Sequence, residues 1–253
     1  MSNLNVFIDE TIKKNPQKKI FNIEYDNKKI WVKRAGKTGS NLLHHAAYKI
    51  TKQPILIPVE NKTPHETLIY ESSKLQRFYH LSIPVPKVIN ITDDYFVMED
   101  CGYVLRHLIQ NDLVCDIEDV SIKVIKKIAS LHNKGVYHGA SQIKNIVYKD
   151  DEIFFIDFEE SFNQAIRVDD LQFRDLFLFL FSLCKEKADI NYKSLIQSYI
   201  DITGNIDVIK KFANLVSSVS VLMKIIRNTT VWSILDRDTK SVYRLLRQIE
   251  RVV

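Results

Sequence analysis

The chain has 253 residues, 45% hydrophobic and 26% charged, with 6 Gly, 6 Pro and 3 Cys. That length is ample for one large core or two lobes, and the composition excludes wholesale disorder and collagen-like or low-complexity classes. The net charge of +5 is mildly basic and by itself only weakly suggests an anionic partner such as a nucleotide, lipid phosphate or nucleic acid.

In chain order, residues 19–33 read as two strands around a turn at Asp26-Asn27. Residues 40–51 read as a short helix. Thr63-Pro64-His65-Glu66 is a helix start, with Thr as N-cap, Pro in the first turn and Glu three residues after the cap; the helix should run to about Tyr79. Ile83-Pro84-Val85-Pro86 must be extended. A second hairpin turns at Thr92-Asp93-Asp94. Asp116 caps a helix over about 117–133 whose apolar positions follow the 3.6 period, and Gly135 stops it. A third hairpin turns between Lys149 and Glu152. Residues 170–186 are so apolar that a buried central helix is expected, and the last 45 residues should be helical.

Several function classes drop out. No apolar run approaches the roughly 18 residues of a membrane helix, and the N-terminal segment has no apolar signal core, so a cytoplasmic location is expected. Cys101, Cys115 and Cys184 are odd in number and widely spaced, which supports neither a disulfide framework nor a thiolate zinc site. Gly36-Lys37-Thr38 ends like a phosphate-binding loop, but Trp31 stands where that motif needs its first glycine. A nucleic-acid-binding module would rest on net charge alone.

One constellation remains. The 117–133 helix ends in Leu131-His132, a loop carries His138-Gly139 and Asn145, and a tight hairpin delivers Asp157-Phe158-Glu159. Asn145 and Asp157 offer the hard oxygen ligands that Mg²⁺ prefers. Upstream, Lys33 ends the apolar strand IWVK, where a charged side chain otherwise sits awkwardly. Of two candidate partners, Glu71 lies four residues before Leu75 on the apolar helix face, whereas Glu66 lies on the opposite face in a capping position. Read singly, each residue has a plainer role: Asn145 a turn cap, Lys33 a strand-end charge, Glu71 a partner of Lys74 or Arg77.

Taken together, IWVKRA, ESSKLQRFYHLSIPVPKV, YFVMED, LHNKGVYHGASQIKNIV, FIDFEES and RDLFLFLF resemble the protein-kinase-like phosphotransferases. The likeness is to bacterial lipopolysaccharide (Kdo/heptose) kinases, small RIO- and Bud32-like kinases and aminoglycoside phosphotransferases. It covers roughly residues 19–183. The resemblance implies an α+β, two-lobed fold, with a nucleotide-binding lobe over 1–99 and a helical lobe over 100–253. It implies ATP and Mg²⁺ as cofactors, with Lys33, Glu71, His138, Asp157 and Glu159 as the catalytic set. Asn145 and Asp157 would hold metal, Glu99 and Asp100 would lie near adenine, and Asp175 would hold the loop backbone. The partners implied are a nucleotide and a hydroxyl acceptor, from a lipopolysaccharide core sugar to a protein.

Two departures stand out. Residues 1–32 contain no glycine, so no G-x-G-x-x-G loop covers the phosphates. Ala140 occupies the position, two residues after His138, where kinases carry the aspartate that receives the acceptor proton. An enzyme and a nucleotide-binding pseudokinase are therefore both open. The C-terminal helix SVYRLLRQIERVV pairs an apolar stripe with Arg244, Arg247 and Arg251. It is expected to pack on the core, and at most to touch a membrane peripherally.

Overall fold

The computed structural model describes residues 2–40, 42–186, 190–226 and 236–250. Helix α1 (Ser2–Lys14) precedes strands β1 (Ile20–Tyr25) and β2 (Lys28–Arg34). Helices α2 (Leu42–Thr51) and α3 (Pro64–His80) follow, then β3 (Val88–Ile91) and β4 (Tyr95–Glu99). Strand β5 (Tyr103–Val104), helix α4 (Leu105–Gln110), helix α5 (Ile117–Asn133) and the hairpin β6 (Ile146–Lys149) and β7 (Glu152–Phe155) come next. Helices α6 (Val168–Lys185), α7 (Tyr192–Thr203), α8 (Asp207–Ile226) and α9 (Arg237–Ile249) complete the described chain. This is the α+β, two-lobed arrangement expected from the sequence. None of the described helices is long and apolar enough to cross a membrane.

The first sheet is antiparallel with order β1-β2-β4-β3. Its register separates two faces. Phe21, Val32 and Val97 are successive cross-strand partners, and with Ile23, Ile30 and Tyr95 they form one buried face. Ile20 opposite Lys33, and Asn22 opposite Trp31, belong to the other face, toward the cleft. Asp26 and Asn27 both have positive φ, 50° and 57°, which suits the two-residue turn of a twisted hairpin.

Helix α1 has no counterpart among the sequence expectations. Leu4 and Ile8, one turn apart, are buried on the outer sheet face, and that burial stabilises a segment too polar on average to announce itself. Helix α3 starts with the expected capping box: the Thr63 hydroxyl accepts from the Glu66 amide, and the Glu66 carboxylate accepts from the Thr63 amide at 2.8 Å. Its Leu68, Leu75 and Phe78 join Phe96 and Met98 in the main core, which continues into α5 and α6. In α9, Leu245, Leu246 and Ile249 are buried against α6 and α7, and Arg247 pairs with Glu250 at 2.8 Å. The helix is thus a core element; Arg251 and Val253 lie outside the described residues.

Because Ile8 is fully buried in the small cluster under α1, Ile8→Ala should destabilise the protein by about 2–5 kcal/mol. Urea unfolding of the two proteins checks this, and Phe7→Ala, at an exposed position on the same helix, should cost far less.

Candidate active site

Lys33 enters the cleft from β2, beside Phe96 of β4. Its Nζ lies 2.7 Å from Glu71 Oε2 of α3, 2.5 Å from Asp157 Oδ1 beyond β7, and 3.6 Å from Glu159 Oε2. Burial opposes its charge, but these three carboxylates raise its pKa above the ordinary lysine value. Glu71 is 2% exposed and also accepts from the Phe158 amide at 3.1 Å. Burial pushes its pKa up to about 7 against the pull of Lys33, and Asp157 and Glu159 push the same way. Burial would raise Asp157 too, but Lys33 and Lys144 hold it below the usual carboxylate range. Asp157 has φ 68°, a left-handed conformation costing an L-residue roughly 1–2 kcal/mol, which Asp tolerates better than most. Glu66 remains at the surface in its cap.

The loop before β6 is held from several sides. Asp175 of α6 is fully buried and accepts from the His138 amide at 2.6 Å and the Gly139 amide at 2.9 Å. Burial alone would raise its pKa, yet His132 and these amides hold it low. Lys74 donates to the His138 carbonyl at 2.9 Å, tying α3 to the same loop. Burial lowers its pKa to about 8, and Tyr70, Phe78, Tyr137 and Phe158 surround it. In the sequence Lys74 figures only as a surface partner for Glu71. Arg174 donates to the Gly139 carbonyl, and Asn145 Nδ2 to that of Ala140 at 2.8 Å.

His138 does not join the cleft groups. Its ring is buried, stacked on Phe158 at 4.4 Å and edge-on to Phe155, and burial lowers its pKa to about 4. The ring, expected from the resemblance in the catalytic set, packs under the loop, apart from the carboxylates around Lys33. Ala140 is itself buried and brings no polar side chain.

Next to Lys33 lies a cavity of about 370 Å³, walled by Trp31, Met98, Val104, Val147 and Ile156, with Asn145 and Asp157 at one end. Glu99, Cys101 and Gly102 form its rim. Gly102 has φ 110°, and a Cβ there would sit 2.5 Å from Lys149, so this crossing between lobes needs glycine. Asp100 is turned elsewhere: its carboxylate accepts from Trp31 Nε1 at 2.7 Å and pairs with Lys29 at 3.0 Å. It braces the crossing and is not part of the cavity lining. Val104 and Val147 come together through the pairing of β5 with β6, which no local sequence signal reveals.

The donor set fits a hard cation. Carboxylate oxygens of Glu71, Asp157 and Glu159 lie within 4.8 Å of one another, with the Lys33 ammonium among them. Three carboxylates against one ammonium leave surplus negative charge. Asn145 lines the same cavity, and with its Nδ2 tied to Ala140 its Oδ1 is the end left for a ligand.

The sign of this perturbation can be tested. The folded pKa of Glu71, about 7, exceeds the roughly 4.3 of an unfolded glutamate, so its contribution to stability declines as pH rises through 7. Between pH 5 and 8 the wild type should therefore lose stability relative to Glu71→Gln in urea titrations. Parallel pH profiles of the two proteins would contradict the assignment.

Residues 60–177 match the family model of the RIO domain. An uncharacterized protein of Haemophilus influenzae is 25% identical over 183 residues, covering 72% of this chain and 69% of that one. A probable serine/threonine-protein kinase BUD32 homolog of Archaeoglobus fulgidus is 32% identical over 82 residues, 32% of this chain and 38% of that protein. The matched stretch runs from the approach to α3, through Glu71 and the loop, to Asp157 and Asp175. Fold, cleft geometry and these matches agree in making the chain similar to the RIO/Bud32-like small kinases of the protein-kinase-like superfamily.

Proposed function

We propose that the protein is an ATP- and Mg²⁺-dependent phosphotransferase that passes the γ-phosphoryl group to an acceptor hydroxyl. The observation that carries this reading is the single ammonium of Lys33 shared by Glu71 of α3 and Asp157 beyond β7. We place the division between the two lobes near residues 99 and 100. In this reading adenine lies in the apolar cavity against the Glu99–Gly102 rim. Glu71 orients Lys33, which meets the α- and β-phosphates. Asn145 and Asp157 hold Mg²⁺, whose bound charge would offset that of the phosphates.

The acceptor oxygen bonds to the γ-phosphorus as the bond from that phosphorus to the bridging oxygen breaks, leaving ADP. The hydroxyl proton has no aspartate at position 140 to receive it. We assign that role to Glu159, a half-buried carboxylate at the cleft, with 34% side-chain exposure. The acceptor is a sugar, a lipopolysaccharide core, a small molecule or a protein; the archaeal relative's name as a serine/threonine-protein kinase favours a protein hydroxyl.

Ala140 also favours a second reading, a pseudokinase that binds nucleotide and acts through its surfaces. General-base help is typically worth about 10²–10⁴-fold, and transfer relies mainly on positioning and charge, so the enzyme reading calls for slow turnover.

Transfer of labelled phosphate from ATP to candidate acceptors in a cell extract separates the readings. Wild type should transfer above background, Asp157→Asn should not, and Lys33→Ala should weaken nucleotide binding. Ala140→Asp should raise the rate if the new carboxylate reaches the acceptor. Background transfer by wild type across a broad acceptor screen, with ATP binding established, would establish the pseudokinase.

A further inference from the structure

The cleft has a second compartment, of about 180 Å³, that shares Ile20, Lys33 and Glu71 with the apolar cavity. Lys19, Gly36, Lys37 and Glu159 also line it. It therefore continues past Lys33 in the direction away from the Glu99–Gly102 rim, where a nucleotide's phosphates would extend.

Two lysines reach this compartment on separate, anchored segments. Lys19 follows the turn that joins α1 to β1. Its carbonyl accepts from the Arg34 amide at 2.8 Å, and the Arg34 guanidinium donates to the carbonyls of Pro16 at 2.6 Å and Lys18 at 3.4 Å. Arg34 thus fastens the turn beside the cleft. Lys37 sits between two pinned neighbours. The Ala35 amide donates to Asp94 O at 3.1 Å, and Thr38 O accepts from the Lys62 amide at 3.0 Å. The Thr38 and Thr67 hydroxyls are 3.3 Å apart, linking the segment to α3. Gly36, beside Lys37, faces open space: a Cβ there would meet nothing within 4 Å.

Among the described residues neither Lys19 nor Lys37 is held in an ion pair, whereas Lys29, Lys33, Lys123 and Lys211 all are. Residues 1–32 offer no glycine through which backbone amides could wrap an anion closely. The strand lysine alone has three carboxylates to answer. Cations free to turn toward a ligand, on backbone held in place, supply what that arrangement lacks.

Resting on the nucleotide reading above, we propose that Lys19 and Lys37 clasp the β- and γ-phosphates of the bound nucleotide, replacing a backbone-amide loop with two side-chain ammonium groups. The ligand class is the polyphosphate tail of a nucleoside di- or triphosphate. A grip made of mobile ammonium groups depends on charge, so it grades ligands by phosphate number and weakens as salt rises.

The test is calorimetric titration of the full chain with adenosine, AMP, ADP and ATP in the presence of Mg²⁺. Wild type should bind more tightly as phosphates are added. The Lys19→Ala/Lys37→Ala double variant should lose at least about tenfold in ATP affinity. Its adenosine affinity should be unchanged, which also shows that it folds, and Lys→Arg at both positions should retain most of the ATP affinity. If the double variant keeps the wild-type preference of ATP over adenosine, the clasp is overturned and the nucleotide reading stands. If wild type binds neither adenosine nor ATP, the nucleotide reading falls and takes the clasp with it.

Discussion

A half-buried ammonium among three carboxylates organises this molecule. Lys33 comes from β2, Glu71 from α3, and Asp157 and Glu159 from the segment after β7, so four charges bring together three parts of the chain. Removing such groups from water costs several kcal/mol per ion, and the cost is offset only when geometry and hydrogen bonds are good. Here Glu71 also receives the Phe158 amide, which ties the side-chain cluster to the backbone that holds Asp157 in its left-handed conformation. The balance is incomplete, because acid outnumbers base. A structural ion pair would settle nearer neutrality. Surplus negative charge in a cleft that opens toward solvent is a standing attraction for a further cation.

The second organising group is Asp175. Fully buried at the base of the loop, it fixes the His138 and Gly139 amides, while Arg174, Asn145 and Lys74 bond the carbonyls of Gly139, Ala140 and His138. The loop is thus built to hold its backbone in one conformation, although position 140 carries no side chain able to act on a proton. That combination matters for the two functional readings. A loop that had lost all connection to chemistry would have little physical reason to keep a fully buried carboxylate, whose desolvation must be met by hydrogen bonds from two amides and a histidine. The frame around position 140 is costly to maintain, and it is intact.

Much of the fold is legible where local chemistry and tertiary packing agree. The Thr63–Glu66 capping box, the Asx turns at Asp26-Asn27 and Asp150-Asp151, and the Asp116 cap each state a boundary in a few residues, and each recurs in the structure. Glu71 is legible because helical periodicity puts it on the Leu68–Leu75 face. Helix α1 is not, because Leu4 and Ile8 carry meaning only once an apolar sheet face exists for them to cover. The cavity walls Val104 and Val147 meet through the pairing of β5 with β6, short strands distant in sequence. His138 reads as a candidate catalyst because the family resemblance of the loop implies it. Only burial against Phe155 and Phe158 shows that the ring fills space. Asp100, likewise, is taken by Trp31 and Lys29, partners on a strand nearly seventy residues upstream.

The same contrast explains how a cleft of this kind can exist with so little glycine. Glycine lets backbone amides approach an anion, at a cost in unfolded-chain entropy, and a chain with 6 glycines in 253 residues has few to spend on such a loop. Two of its glycines serve where geometry leaves no choice: Gly102 at the crossing between lobes, pressed against Lys149, and Gly139 under Phe162. At the far end of the cleft the chain instead pins its backbone by hydrogen bonds, Arg34 to Pro16 and Lys18, Thr38 to Lys62, and among the described residues Lys19 and Lys37 are held in no ion pair. A pinned backbone bearing lysines outside any ion pair positions charge without a glycine-rich loop.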